Sequence, residues 1–261
     1  MTDGEKPEGG EGAGHTSARD LDPEQSLDML VEFTKDDDPR TRATAVAALA
    51  KVRAPRGFGP VLVTLFDPVD EVRAAAATAL GIYGDLRAYE PLVQGLEDPN
   101  VNVAANCVWS MGQLADGRCL DKILEVLGDD EQAIQLRRAA ATALGERSSL
   151  AGSDLATDDG AIERSRLALL RTLRSDDGEL RASSAWTLGH FPAEERTNEA
   201  LVELLDDGYA WAVKYAVEAL AHVGGASAVE PLEGLACGDD QELAELARKA
   251  LDMLDRGEKR T

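Results

Sequence analysis

The chain has 261 residues, of which 44% are apolar, 29% charged and only 4% aromatic, and its 49 acidic against 27 basic side chains leave a formal charge of -22. That is enough apolar material for one large domain or two small ones, while the carboxylate excess excludes generic nucleic-acid binding, which needs Lys and Arg to displace condensed counterions. Three cysteines, Cys107, Cys119 and Cys237, odd in number and without CxxC spacing, argue against a disulfide framework or a zinc site.

Residues 1–22 hold six acids, two bases and Gly4, Gly9, Gly10, Gly12 and Gly14, and read as a disordered acidic tail. The opening MTDGEKPEGGEG lacks the basic and apolar regions of a signal peptide, and no apolar run approaches about 18 residues, so a cytoplasmic protein without membrane contact is expected. Asp22 and Pro23 suit a helix cap and first turn. From there a single domain is expected over 23–254, followed by a short tail at 255–261.

A repeat organises that domain. Asp36, Asp67, Asp98 and Asp129 are each 31 residues apart, as are Leu49, Leu80 and Met111. Seven copies of one segment follow each other: DPRTRATAVAALA, DEVRAAAATALG, NVNVAANCVWSMG, AIQLRRAAATALG, GELRASSAWTLG, AWAVKYAVEALA and ELAELARKALD. Each is the second of two helical pieces. The first piece is short and apolar at helical spacing, with Pro60, Pro91 and Pro231 expected in its first turn. In the second, Val72, Ala76, Ala79 and Leu80 form one stripe, and alanine at crowded positions lets neighbouring helices approach. Gly81, Gly112, Gly145 and Gly189 fall near the helix end, either to release the chain or to pack on the next repeat. No segment alternates as a strand does. Between the fourth and fifth copies, residues 146–162 form a Gly, Ser and Asp-rich loop, equally readable as a binding insertion or a neutral one.

These segments resemble the HEAT-like repeat of the short, phycobilisome-lyase type: a Leu-rich helix, an Asp turn, then Val-Arg-x-x-Ala-Ala-x-Ala-Leu-Gly. The resemblance covers about residues 24–254 and implies an all-α superhelix of about seven two-helix repeats, with the second helices on the concave side. Stacking is also required physically, because one helix pair cannot bury its stripe alone. The resemblance further implies an Asp and Arg ladder between repeats. Asp36 and Asp67 lie six residues before Arg42 and Arg73, Asp98 and Asp129 recur in later turns, and Arg137 and Arg181 hold the arginine position. A turn Asp can cap the next helix, and a guanidinium can bridge to a neighbouring carboxylate. Ala104, Val213 and Ala244 interrupt the arginine column, so the third, sixth and seventh repeats are expected to rest on packing alone.

The inner surface is read from second-helix positions outside the apolar stripe. The third repeat supplies Asn106, Trp109 and Gln113, and the fourth Arg138, Thr142 and Glu146. The fifth supplies Ser183, Trp186 and His190, and the sixth Lys214, Tyr215, Glu218 and His222. Trp and Tyr are common interface anchors, although each Trp has the alternative of packing sideways on a neighbouring repeat. Trp211 has no such column and is read as turn packing.

No catalytic arrangement emerges. Deoxyhypusine hydroxylase, a relative in the resembled architecture, carries His-Glu iron ligands just after the Val-Arg pair, where this chain has Ala74-Ala75, Ala105-Asn106 and Lys214-Tyr215. Three histidines cannot assemble a four-histidine di-iron site; His190 and His222, in equivalent places of adjacent repeats, could form a metal pair but read rather as plain surface residues, and neither metal nor cofactor is expected. The expected function is a non-catalytic scaffold or adaptor, monomeric rather than an obligate oligomer, holding a protein partner's segment on the concave face. The alternative implied by the resemblance is a bilin-handling, lyase-like protein. Twenty Arg against seven Lys on an acidic body also resembles the surfaces of proteins from halophilic archaea, where salt screens self-repulsion.

Overall fold

The computed structural model describes residues 23–114, 116–148 and 158–258, and every regular element among them is a helix. The expected tail at 1–22, residues 149–157 of the expected loop and residues 259–261 lie outside the described residues.

The described α-helices fall into seven pairs. They are α1 (Pro23–Phe33) with α2 (Pro39–Val52), α3 (Pro55–Thr64) with α4 (Asp70–Tyr83), α5 (Tyr89–Gly95) with α6 (Val101–Gln113), and α7 (Gly117–Gly128) with α8 (Ile134–Ser148). The remaining pairs are α9 (Asp159–Thr172) with α10 (Gly178–Leu188), α11 (Glu195–Glu203) with α12 (Ala210–Val223), and α13 (Ala226–Ala236) with α14 (Gln241–Glu258). Each second helix packs on the second helix of the next pair, from α2 through to α14, and the first helices cover the opposite side of that layer. The result is an all-α solenoid.

Several boundaries differ from the sequence reading. α8 continues through Ser148 and α9 begins at Asp159, so both ends of the loop expected at 146–162 are helical, and α14 runs on to Glu258 beyond the expected limit at 254. Pro60 and Pro231 lie inside α3 and α13 rather than in their first turns. α3 gains its extra turn at Pro55, where Gly57 and Phe58 are buried. Phe58 meets Tyr83 edge to face at 5.7 Å, and the Tyr83 hydroxyl lies within hydrogen-bonding reach of the Leu49 and Ala54 carbonyls.

The repeated apolar column forms the core. Leu49, Leu80, Met111, Leu144, Leu188 and Leu220 are all buried in one continuous cluster, and truncating such a side chain to Ala costs about 2–5 kcal/mol. Helices in the second layer approach closely because of the glycines. A Cβ at Gly112 would fall 2.9 Å from Ala143, and one at Gly189 would fall 2.9 Å from the Ala219 backbone. Packing, not chain release, is therefore their role; the left-handed exits are at Arg53 and Gly84. Buried hydroxyls tie the same helices together, Ser110 donating to the Ala77 carbonyl at 2.7 Å and Thr187 to that of Ala141 at 2.8 Å.

The ladder has a different wiring from the one expected. Arg73 Nη1 donates to the carbonyl of Asp67, six residues back, while its Nε and Nη2 clasp the carboxylate of Asp98, 25 residues ahead, at 2.6 and 2.9 Å. Arg42 treats Asp36 and Asp67 in the same way, and Arg181 joins the Ser175 carbonyl to Asp207. The turn Asp does not cap its helix directly; Asp67, Asp98 and Asp207 each accept the N–H two residues on. Because each arginine reaches forward, the third and sixth repeats receive ladder bonds although they supply no arginine of their own. Packing alone does not describe them. Asp129, which would need an arginine where Ala104 stands, accepts instead from the Glu131 N–H and the Gln132 amide.

In the fifth repeat the ladder aspartate position is Ser175, which offers no carboxylate, and the next acceptor is Asp177 at the N-cap of α10. Arg137 donates to the Leu127 carbonyl and pairs with Asp130, while Arg138 makes the forward bidentate clasp, to Asp177, and also binds Glu179. At the end of α8 the fully buried Arg147 donates to the carbonyls of Leu114 and Asp116, satisfying groups just past the C-terminus of α6.

Candidate functional site

The expected inner-face residues lie on second helices, except His190 in the turn just past the end of α10, and they separate into two groups. In the first group, side chains serve the stack. Asn106 donates to the Ala74 carbonyl of α4 at 3.3 Å, and Arg138 is committed to the carboxylates of Asp177 and Glu179. Trp109, Gln113 and Ser183 are half-buried on α6 and α10 and line neither of the two clefts described next.

The second group converges. Trp186 of α10 and His190, two residues past its end, face Tyr215, Glu218 and His222 of α12 across a cleft of about 210 Å³ floored by Gly189 and Ala219. The arrangement follows from the repeat: His190 and His222 hold equivalent places in adjacent repeats, and the Gly189–Ala219 contact brings α10 and α12 together. Trp186 and His190 rings lie 4.4 Å apart, with His190 Nδ1 2.9 Å from the Trp186 carbonyl. The other edge of Trp186 rests over Gly145 of α8, so this residue both packs sideways and opens to the cleft.

On the far side of α12, a larger groove of about 830 Å³ runs between α12 and α14. Glu218 and Lys214 border it, and so does Trp211. Trp211 is 50% exposed rather than packed in its turn, and it lies 5.8 Å from the Tyr215 ring. Lys214 reaches over it, 4.9 Å from the ring centroid, and also pairs with Glu242. The expectation that Trp211 packs in the turn is corrected: it lies in the first turn of α12, and its i, i+4 spacing to Tyr215 was the available signal.

Burial pushes the Cys107 thiol up to about 12, so it stays protonated at neutral pH. Among the described residues, no group of three or more His, Cys, Asp or Glu is placed to hold a metal, and no helix is long and apolar enough to cross a membrane. The carboxylates of Asp98, Asp177 and Asp207 have depressed pKa values, chiefly through their hydrogen bonds from Arg73, Arg138 and Arg181 in the ladder.

Comparison with known proteins places this geometry. A model for HEAT repeats matches residues 13–81, 27–101, 89–159 and 166–252. No curated protein matches the chain. Among solved structures, the fold is similar to one in the complex of CpcE and CpcF of phycocyanin lyase from a Nostoc species, at 20% identity and a TM-score of 0.55 over 95% of this chain and 97% of that one. It is also similar to an archaeal HEAT-like repeats protein from Thermococcus onnurineus, at 15% identity and a TM-score of 0.56 over 88% and 97% of the two chains.

Proposed function

The chain belongs to the HEAT-repeat family, and we propose that this member is a non-catalytic scaffold that holds a segment of a protein partner across α10, α12 and α14. A solenoid exposes one extended layer suited to a long ligand. The observation that carries the reading is the pair of clefts flanking α12, joined at Glu218, with Trp186, Tyr215 and Trp211 gathered there in a chain that is 4% aromatic. Large aromatic residues beside grooves contribute most to interface affinity.

The other reading, bilin handling, draws on the likeness in fold to the phycocyanin lyase complex. The cleft of about 210 Å³ is below the roughly 300 Å³ at which small-molecule sites begin, and suits one inserted side chain. The acidic wall of the larger groove disfavours a tetrapyrrole's propionates. Segment binding is therefore preferred.

The test is a pull-down from the native cell extract with wild type and with Trp186→Ala plus Tyr215→Ala, both checked for helicity. Specific loss of a captured protein from the double variant supports the reading. Retention of every captured protein contradicts it.

A further inference from the structure

The groove between α12 and α14 has a one-sided chemistry. Trp211, Leu243 and Leu246 supply its apolar lining, and six carboxylates border it against two ammonium groups. Three of the six are occupied: Asp207 by Arg181, Glu242 by Lys214 at 3.1 Å, and Asp240 by the Leu243 N–H at 3.1 Å. Asp206, Glu218 and Glu245 accept no hydrogen bond or ion pair from the described residues. The half-exposed Trp211 thus shares its groove with three unpaired carboxylates, and Lys214 over its ring shows that the indole already accommodates a cation.

These features select among occupants. An acidic or phosphorylated segment would be repelled by the unpaired carboxylates. A purely apolar segment would desolvate them without pairing them, which is costly. A guanidinium satisfies both halves of the site, stacking on an indole and bonding a carboxylate in its plane, whereas an ammonium does the second only as a point charge. We infer that this groove takes an arginine-bearing segment of the protein partner, with a guanidinium on Trp211 and Glu218 and Glu245 as acceptors. The inference rests on the segment-binding reading above and adds the partner's chemistry and its place.

The test uses the full chain and three fluorescein-labelled peptides, one alternating leucine and arginine, one with citrulline for arginine and one with glutamate. Binding is followed by anisotropy at about 0.15 M salt, where charges beyond about 8 Å are largely screened. The arginine peptide is expected to bind about tenfold more tightly than the citrulline peptide, and the glutamate peptide not at all. Glu218→Gln with Glu245→Gln is expected to bring that preference down to about twofold, and Trp211→Ala to weaken the arginine peptide about fivefold. The same charge change elsewhere, Glu97→Gln with Glu131→Gln, leaves the preference intact. An equal loss in both double variants would assign the binding to the general acidic field and overturn the inference. Equal binding of arginine and citrulline peptides, or no binding of either, would also overturn it. If both those peptides bind alike and both are lost in Trp186→Ala, the arginine inference fails while segment binding stands.

Discussion

Arg73 holds two turns of the solenoid at once: its Nη1 bonds the Asp67 carbonyl while Nε and Nη2 grip the Asp98 carboxylate at 2.6 and 2.9 Å. Both side chains are largely withdrawn from solvent, 15% and 9% exposed. The pair therefore acts as an inter-repeat bolt rather than a loose surface ion pair. Removing one partner leaves the other desolvated, so Asp98→Asn is expected to cost about 1.5–3 kcal/mol in urea unfolding. In a double-mutant cycle, Arg73→Leu with Asp98→Asn should cost less than the sum of the single changes. Additivity would show that the two do not act together.

The same contacts set the response to acid. Arg73, Arg138 and Arg181 hold the carboxyls of Asp98, Asp177 and Asp207 below the ordinary aspartate range. A depressed folded pKa contributes stability that is present above the unfolded value, about 3.9, and is lost as pH falls through the lower folded value. Unfolding free energy should therefore drop as pH falls below about 4, and the drop should be smaller in Asp98→Asn. An identical acid limb in that variant would contradict this origin.

Glycines in the second-helix layer should respond opposite to helix propensity. Gly189→Ala puts a methyl group 2.9 Å from the Ala219 backbone, and is expected to cost about 1–3 kcal/mol. At Gly234, inside α13, a Cβ meets nothing within 4 Å, and Gly234→Ala should stabilise by about 0.5–1 kcal/mol. Thermal melts of the two variants check the pair.

A charge of -22 gives the compact state a self-repulsion that salt screens. The melting temperature is expected to rise from millimolar to molar KCl. A flat curve would show that the ladder and core already outweigh that repulsion.

The architecture was readable because a repeat prints its period: the Leu49, Leu80 and Met111 step and the alanine stripe identified the helix pairs. Spacing along the chain could find Asp67 six residues before Arg73, and that contact exists, but through the backbone. The side-chain partner, Asp98, is supplied by stacking, which sequence distance does not encode. The same limit applies to Arg138, which was expected to face a partner and instead bonds forward to Asp177, a carboxylate that sequence distance does not single out. Trp109 and Trp186 share a column but not a cleft: Gly112 and Gly189 pack alike, but the cleft at Trp186 is lined by His190 and His222. Pro60 was misplaced since burial of Gly57 and Phe58 extends α3 backwards past the proline.

The central claim is that a partner segment lies on the second-helix layer at α12. A photo-reactive phenylalanine analogue placed at Tyr215 tests it most directly, against the same analogue at Val63, which is 73% exposed on α3 of the opposite layer. The account predicts a discrete partner crosslink from position 215 and none from position 63. Crosslinking from position 63 with none from position 215 would contradict it.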